Sequence, residues 1–149
     1  MSKTIVMGAD KAGFALKNEI AAQLSQEGYT ILDVTPTEEN MADYPVYAHA
    51  LCQTIQKGEA PLGILICGTG IGMSMAANKH RGIRAAVCGD VFSSTMTRRH
   101  NDANVLCLGA RVIGSELAKM IVKAFLTEDF EGGRHIPRVA AVNAFDDGE

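Results

Sequence analysis

At 149 residues the chain has the length of one domain with a real core, and its 47% apolar and 21% charged residues are the composition of a soluble globular protein. A formal net charge of −3 with no block of basic residues argues against a nucleic-acid surface or an anionic-membrane anchor, and no apolar run approaches a membrane span. The start, Met-Ser-Lys-Thr, has no secretory pattern, so a cytoplasmic location is expected.

Taken in order, Thr4 to Gly8 reads as a buried strand. The stretch from Gly13 to Gln26, with Phe14, Leu16, Ile20, Ala21 and Leu24 at helical spacing, reads as a helix ended by Gly28. A strand from Tyr29 to Val34 leads into a polar loop from Thr35 to Pro45. A helix then runs through Tyr47, Ala48, Leu51 and Ile55 to Lys57-Gly58. The apolar run from Gly63 to Cys67 is the third strand, followed by a helix from Met73 to Lys79. Further elements are a strand from Arg84 to Cys88, a helix from Phe92 to His100, a strand from Val105 to Leu108 and a helix from Ser115 to Leu126. Five alternations with strands apolar enough to be covered on both faces predict a five-stranded parallel sheet between helical layers, an α/β/α sandwich in one domain over 1–149. The tail, 131–149, is too short for a domain and is expected to pack on the body or on a neighbouring subunit. Arg134 and Arg138 share a face only if that segment is helical, which Gly132-Gly133 and Pro137 put in question.

Chemistry concentrates in Gly63-Ile-Leu-Ile-Cys-Gly-Thr-Gly-Ile-Gly72, where a strand delivers Cys67 into a loop with glycine at every second position. Such a loop exposes amide N–H groups to an approaching anion, and the helix behind it favours ionisation of a thiol held there. Cys52 lies in a helical pattern, while Cys88 and Cys107 sit among small apolar residues at strand ends; with no metal-type spacing, all three are expected to be free packing thiols. The loop lacks the lysine of a phosphate-binding P-loop and the spacing of a dinucleotide fingerprint. Met73 stands where a cysteine phosphatase needs an arginine, and no resolving cysteine lies close enough for a thiol redox protein.

Other candidates leave alternatives open. Asp10, at the end of the first strand, can order a substrate hydroxyl or cap the following helix. His100 can pass protons near neutral pH or satisfy helix-end carbonyls, and Asn101, Asp102 and Asn104 suit a turn. Arg111, Arg134 and Arg138 sit in or near glycine-bearing loops and suit phosphate, or form a solvated basic surface.

Gly8-x-Asp10 with Gly13-Phe14, Asp43-Tyr44-Pro45, the glycine loop, Ala76-Ala-Asn-Lys79, Gly82-Ile-Arg-Ala-Ala86, His100-Asn-Asp-Ala-Asn104 and Gly132-Gly-Arg-His135 with Arg138 together resemble the B-type ribose-5-phosphate isomerases. That family includes allose-6-phosphate and galactose-6-phosphate isomerases. The resemblance implies a Rossmann-like fold, a homodimer or dimer of dimers with an active site completed by two subunits, and neither metal nor organic cofactor. It implies Cys67 as the base that moves a proton between C1 and C2 of an open-chain sugar. Thr69 and the amides of Gly68, Gly70 and Gly72 would form an anion hole for the enediolate. His100 would open the ring with Asp10 nearby, Asn101 would contact substrate, and Arg111, Arg134 and Arg138 would hold phosphate.

Two departures stand out. Lys11 replaces the histidine usual after Asp10, keeping a positive charge on a longer side chain, and Val34-Thr-Pro-Thr37 lacks a common Gly-Thr pair. One branch of the family uses a glutamate in the loop; Ile71-Gly-Met-Ser74 offers none, which favours the cysteine mechanism. The expected reaction is metal-independent interconversion of ribose 5-phosphate and ribulose 5-phosphate. The alternatives are a hexose 6-phosphate isomerase and an obligate partner subunit of a heteromeric one.

Overall fold

The computed structural model describes residues 2–148. Strands β1 (Thr4–Ala9), β2 (Thr30–Asp33), β3 (Leu62–Cys67), β4 (Ala85–Val87) and β5 (Val105–Gly109) form one parallel sheet in the order β2-β1-β3-β5-β4. The helices are α1 (Phe14–Gln26), α2 (Tyr44–Gln56), α3 (Ile71–Ala77), α4 (Val91–Asn101), α5 (Ser115–Thr127) and α6 (Ile136–Ala144). Short 3-10 turns, Gly133–His135 and Phe145–Asp147, flank α6. Among the described residues no helix is long and apolar enough to cross a membrane.

The period of two along each strand divides the core. Ile5, Met7 and Ala9 of β1, Ile64 and Ile66 of β3, and Leu106 and Leu108 of β5 pack with Ile20 and Leu24 of α1 and with Ile121, Val122 and Phe125 of α5. Val6, Leu65, Cys67, Val105 and Cys107 face the other way, toward Ala48, Leu51 and Cys52 of α2 and Met73 and Ala77 of α3. Both faces of the central strands are therefore covered, which is why they read as unbroken apolar runs. Fully buried side chains such as Ile64 and Phe125 each contribute about 1.5–3 kcal/mol by leaving water.

Two boundaries differ from the sequence expectation for one reason. Helix α2 begins at Tyr44, with Pro45 inside its first turn, and α6 forms with Pro137 in the same place. The first turn has no intrahelical use for the missing N–H, so proline starts these helices where the sequence reading had it ending a loop or interrupting a segment. The tail thus has helical backbone from 133 to 144, with Arg134 and Arg138 one turn apart.

Lys17 is completely buried in α1. Its ammonium donates to Asp33 Oδ2 and to the carbonyl of Thr35, and lies 4.5 Å from the centre of the Phe14 ring. Burial of the charge is sustained by this pairing.

Candidate active site

From β1 the chain crosses through α1 to β2 on one side and later reaches β3 on the other, so the carboxyl ends of β1 and β3 border the crevice where the winding reverses. Cys67 ends β3 there, its residue 5% exposed. The amide of Gly70 donates to Cys67 Sγ at 3.1 Å. Gly70 has φ of +82°, in the left-handed region, and this turn brings its N–H back onto the sulfur. Thr69 is exposed at the loop tip, with Oγ1 accepting from the amide of Ile71 at 3.2 Å.

The loop after β5 braces the loop after β3. The amide of Ala110 donates to the carbonyl of Cys67 at 2.8 Å and that of Arg111 to the carbonyl of Gly68 at 3.0 Å. The Arg111 guanidinium consequently lies over Gly68, its NH1 3.3 Å from where a Cβ would stand. From the other side the Tyr44 ring covers Gly72, its hydroxyl 2.9 Å from the corresponding point.

On β1, Asp10 Oδ1 accepts from the amide of Gly13 at 3.1 Å, forming the turn that opens α1, while the Asp10 amide donates to the carbonyl of Ile66 at 3.3 Å. Lys11 follows, exposed. The hydroxyl oxygen of Thr35 accepts from the amide of Ala9, so the Lys17–Asp33–Thr35 network lies directly behind the Asp10 turn.

Asp10, Lys11, Cys67, Gly68, Thr69, Gly70, Gly72 and Arg111 are thus gathered at one end of the sheet. His100, Asn101, Arg134 and Arg138 are not. Helix α4 returns toward the amino end of β5, and a left-handed turn at Asp102, with φ of +48°, leads through Asn104 to Val105. Cys67 is level with Gly109, four residues along β5, which separates the two levels by about 13 Å at about 3.3 Å per residue.

The second group has its own surroundings. His100 Nε2 lies 3.1 Å from Glu131 Oε1, and the His100 ring stacks on that of His135 with centroids 4.2 Å apart. His100, Asn101, His135 and Arg138 line a cavity of about 670 Å³, walled further by Arg84 and Asn143. Burial pushes the His135 imidazole below its ordinary pKa, helped by His100, Arg134 and Arg138. The tail is anchored beside this cavity by Arg81, paired with Asp147, and by the Gly82 amide, which donates to Asp146.

A profile of the ribose/galactose isomerase family matches residues 5–142. The chain belongs to that family. Ribose-5-phosphate isomerase B of Escherichia coli K12 is 49% identical over 144 residues, covering 97% of each chain. D-erythrulose-4-phosphate isomerase of Pectobacterium atrosepticum is 48% identical, covering 96% of this chain and 95% of the relative. Among solved structures, ribose-5-phosphate isomerase B of Clostridium thermocellum superposes with a TM-score of 0.94 at 43% identity, covering 97% of this chain and 98% of that one. The α/β/α sandwich with its five-stranded parallel sheet is the fold of these isomerases, and isomerisation of phosphorylated sugars is the chemistry of the family.

Burial raises Cys52 to about 12 and Cys88 to about 11, and pushes Cys107 well above the ordinary thiol value. Sequence reasoning assigned no role to Tyr44, Glu131 or His135, although all three touch candidate residues. Only the fold places Tyr44 over the glycine loop, whereas Glu131 and His135, four residues apart beside Arg134, offered a signal in the sequence.

Proposed function

We propose that the protein is a metal-independent aldose–ketose isomerase interconverting ribose 5-phosphate and ribulose 5-phosphate through an enediolate. The observation that supports this best is the Cys67 thiol at the end of β3, seated against the Gly70 amide of a glycine-rich loop. In the proposed sequence, opening of the sugar ring transfers the proton of the C1 hydroxyl to the ring oxygen through His100, with Asp10 holding a hydroxyl. Cys67 takes the proton from C2, and negative charge develops on the C1 oxygen, where the amides of Gly68, Gly70 and Gly72 and the Thr69 hydroxyl donate to it. Return of that proton to C1, with a proton passing from the C2 oxygen to the C1 oxygen, completes the ketose. The substrate is oxidised at C2 and reduced at C1, so no external redox partner is required.

Asn101, Arg111, Arg134, Arg138 and Lys11 are assigned to substrate binding, the cations at the phosphate end. Because Cys67 and His100 lie at opposite ends of one sheet, we assign the complete site to two protomers of a homodimer or dimer of dimers. Exposed apolar side chains at Ile71 and Met75 of α3 and Phe92 of α4 suit such self-association. The reading places the enzyme in pentose phosphate metabolism.

A second reading changes only the length of the sugar. Lys11 is exposed beside the cleft where relatives usually have histidine, and a relative of almost equal identity is named for a tetrulose phosphate. Hexose 6-phosphates remain the longer alternative.

The test is isomerisation by purified protein in EDTA, comparing ribose 5-phosphate, D-erythrulose 4-phosphate, allose 6-phosphate and galactose 6-phosphate, with Cys67→Ala as control. Highest kcat/KM on the pentose, lost in the variant, is the expected result. Preference for another length would transfer the assignment to that sugar, full activity of Cys67→Ala would remove the proposed base, and silence on all four would favour a partner subunit.

A further inference from the structure

We propose that His100, Glu131 and His135 form a binding site for Zn²⁺ or a similar transition-metal dication, and that its occupation inhibits the isomerase by taking the His100 imidazole out of proton transfer. The inhibitory half rests on the function proposed above; the site itself does not.

The three side chains come from two segments held together by the backbone. The amide of Glu131 donates to the carbonyl of Arg99 at 2.9 Å, tying the start of the tail to the last turn of α4. Glu131 and His135 are four residues apart, and the turn Gly133–His135 carries the second imidazole back over the first. Glu131 Oε1 lies 3.1 Å from His100 Nε2 and 3.7 Å from His135 Nε2, and all three donor atoms fall within 4.8 Å of one another. Tetrahedral zinc with bonds of about 2.0–2.2 Å holds its ligand atoms about 3.3–3.6 Å apart, a range that the two Glu131 distances bracket.

The donor set selects the ion. Two imidazole nitrogens and one carboxylate oxygen suit zinc and its neighbours, whereas magnesium and calcium require oxygen-rich shells. Three protein ligands leave the fourth position to water. His135 is buried to 6% exposure, yet the carboxylate oxygen facing its Nε2 stands beyond hydrogen-bond range. The two rings stack nearly parallel, and each has its Nε2 facing Glu131 Oε1. The His100 side chain is 34% exposed, which leaves its ring room to turn toward an ion shared with His135. Arg134 and Arg138, whose charges reach His135, oppose a bound cation, so the site should be reversible and not structural.

Equilibrium dialysis of the full-length protein against zinc chloride is expected to give one zinc per protomer. Glu131→Gln and His135→Asn should each weaken binding by about tenfold or more, while Cys67→Ser should leave it intact. The isomerase rate should fall in step with zinc occupancy and return with EDTA, and each variant, compared with its own zinc-free rate, should need more zinc. Anomalous diffraction at the zinc edge gives a readout independent of variant folding, with a peak bonded to the three donor atoms. No saturable binding, binding equal in Glu131→Gln and His135→Asn, or binding lost in Cys67→Ser would overturn the site. Stoichiometric zinc on these groups in a protein that turns over no sugar phosphate would sustain the site and overturn the inhibition.

Discussion

Gly109, at the end of β5, packs directly against the backbone of Thr69, so a Cβ on Gly109 would lie 2.6 Å from the Thr69 carbonyl oxygen and 2.9 Å from its Cα. The neighbour is backbone, with no flexible side chain to yield, and the loop itself must move. Gly109→Ala should therefore cost about 1–3 kcal/mol in urea unfolding. It should also lower kcat/KM far more than an equally destabilising core variant elsewhere, because the displaced segment is the proposed anion hole.

The four thiols should differ sharply in reactivity. With Cys52 raised to about 12, Cys88 to about 11 and Cys107 well above the ordinary thiol value, none of these three carries useful thiolate at pH 8. Iodoacetamide treatment of native protein followed by mass spectrometry should show one alkylated site, Cys67, with loss of activity in proportion. Uniform labelling of all four without unfolding would contradict this ranking.

Lys17 is fully buried while its partner Asp33 keeps a quarter of its side chain exposed. Lys17→Met strips the carboxylate and the Thr35 carbonyl of their donor and should destabilise by about 2–4 kcal/mol, less than a pair buried at both ends. Adding Asp33→Asn should recover part of the loss, read as a positive coupling in a double-mutant cycle.

Asp90 caps α4, with Oδ1 accepting from the Ser93 amide at 2.7 Å and Oδ2 from the Ser93 hydroxyl at 2.9 Å. These bonds hold its carboxyl below the usual carboxylate range. A depressed folded pKa means that this contribution is fully present above the unfolded value, about 3.9, and is lost as pH falls through the folded one. Thermal melts between pH 7 and 2.5 should show Asp90→Ala less stable at neutral pH, with the gap to the parent closing in acid.

The sheet was legible because β1, β3 and β5 are covered on both faces, so burial writes itself as continuous apolar sequence. The cysteine loop was legible because glycines crowd where the chain turns sharply enough for the Gly70 amide to reach Cys67 and where Arg111 and Leu108 pack closely. Helix starts were not, because Pro45 and Pro137 serve equally as loop residues and as first-turn residues, and only tertiary packing decides. Lysine is so rarely buried that the interior position of Lys17 left no local signal. The Glu131–His100–His135 cluster depends on the tail folding back onto α4, where the Glu131 amide donates to the carbonyl of Arg99, and the spacing of Glu131 and His135 does not indicate that His100 joins them.

The distance between Cys67 and His100 along the sheet bears on genetics as well as chemistry. If each site takes its base from one protomer and its ring-opening group from the other, a Cys67→Ala chain and a His100→Ala chain are each inactive alone. A mixed dimer of the two places both lesions in one site and leaves its other site wholly intact. Two dead alleles expressed together would then restore growth that neither supports by itself.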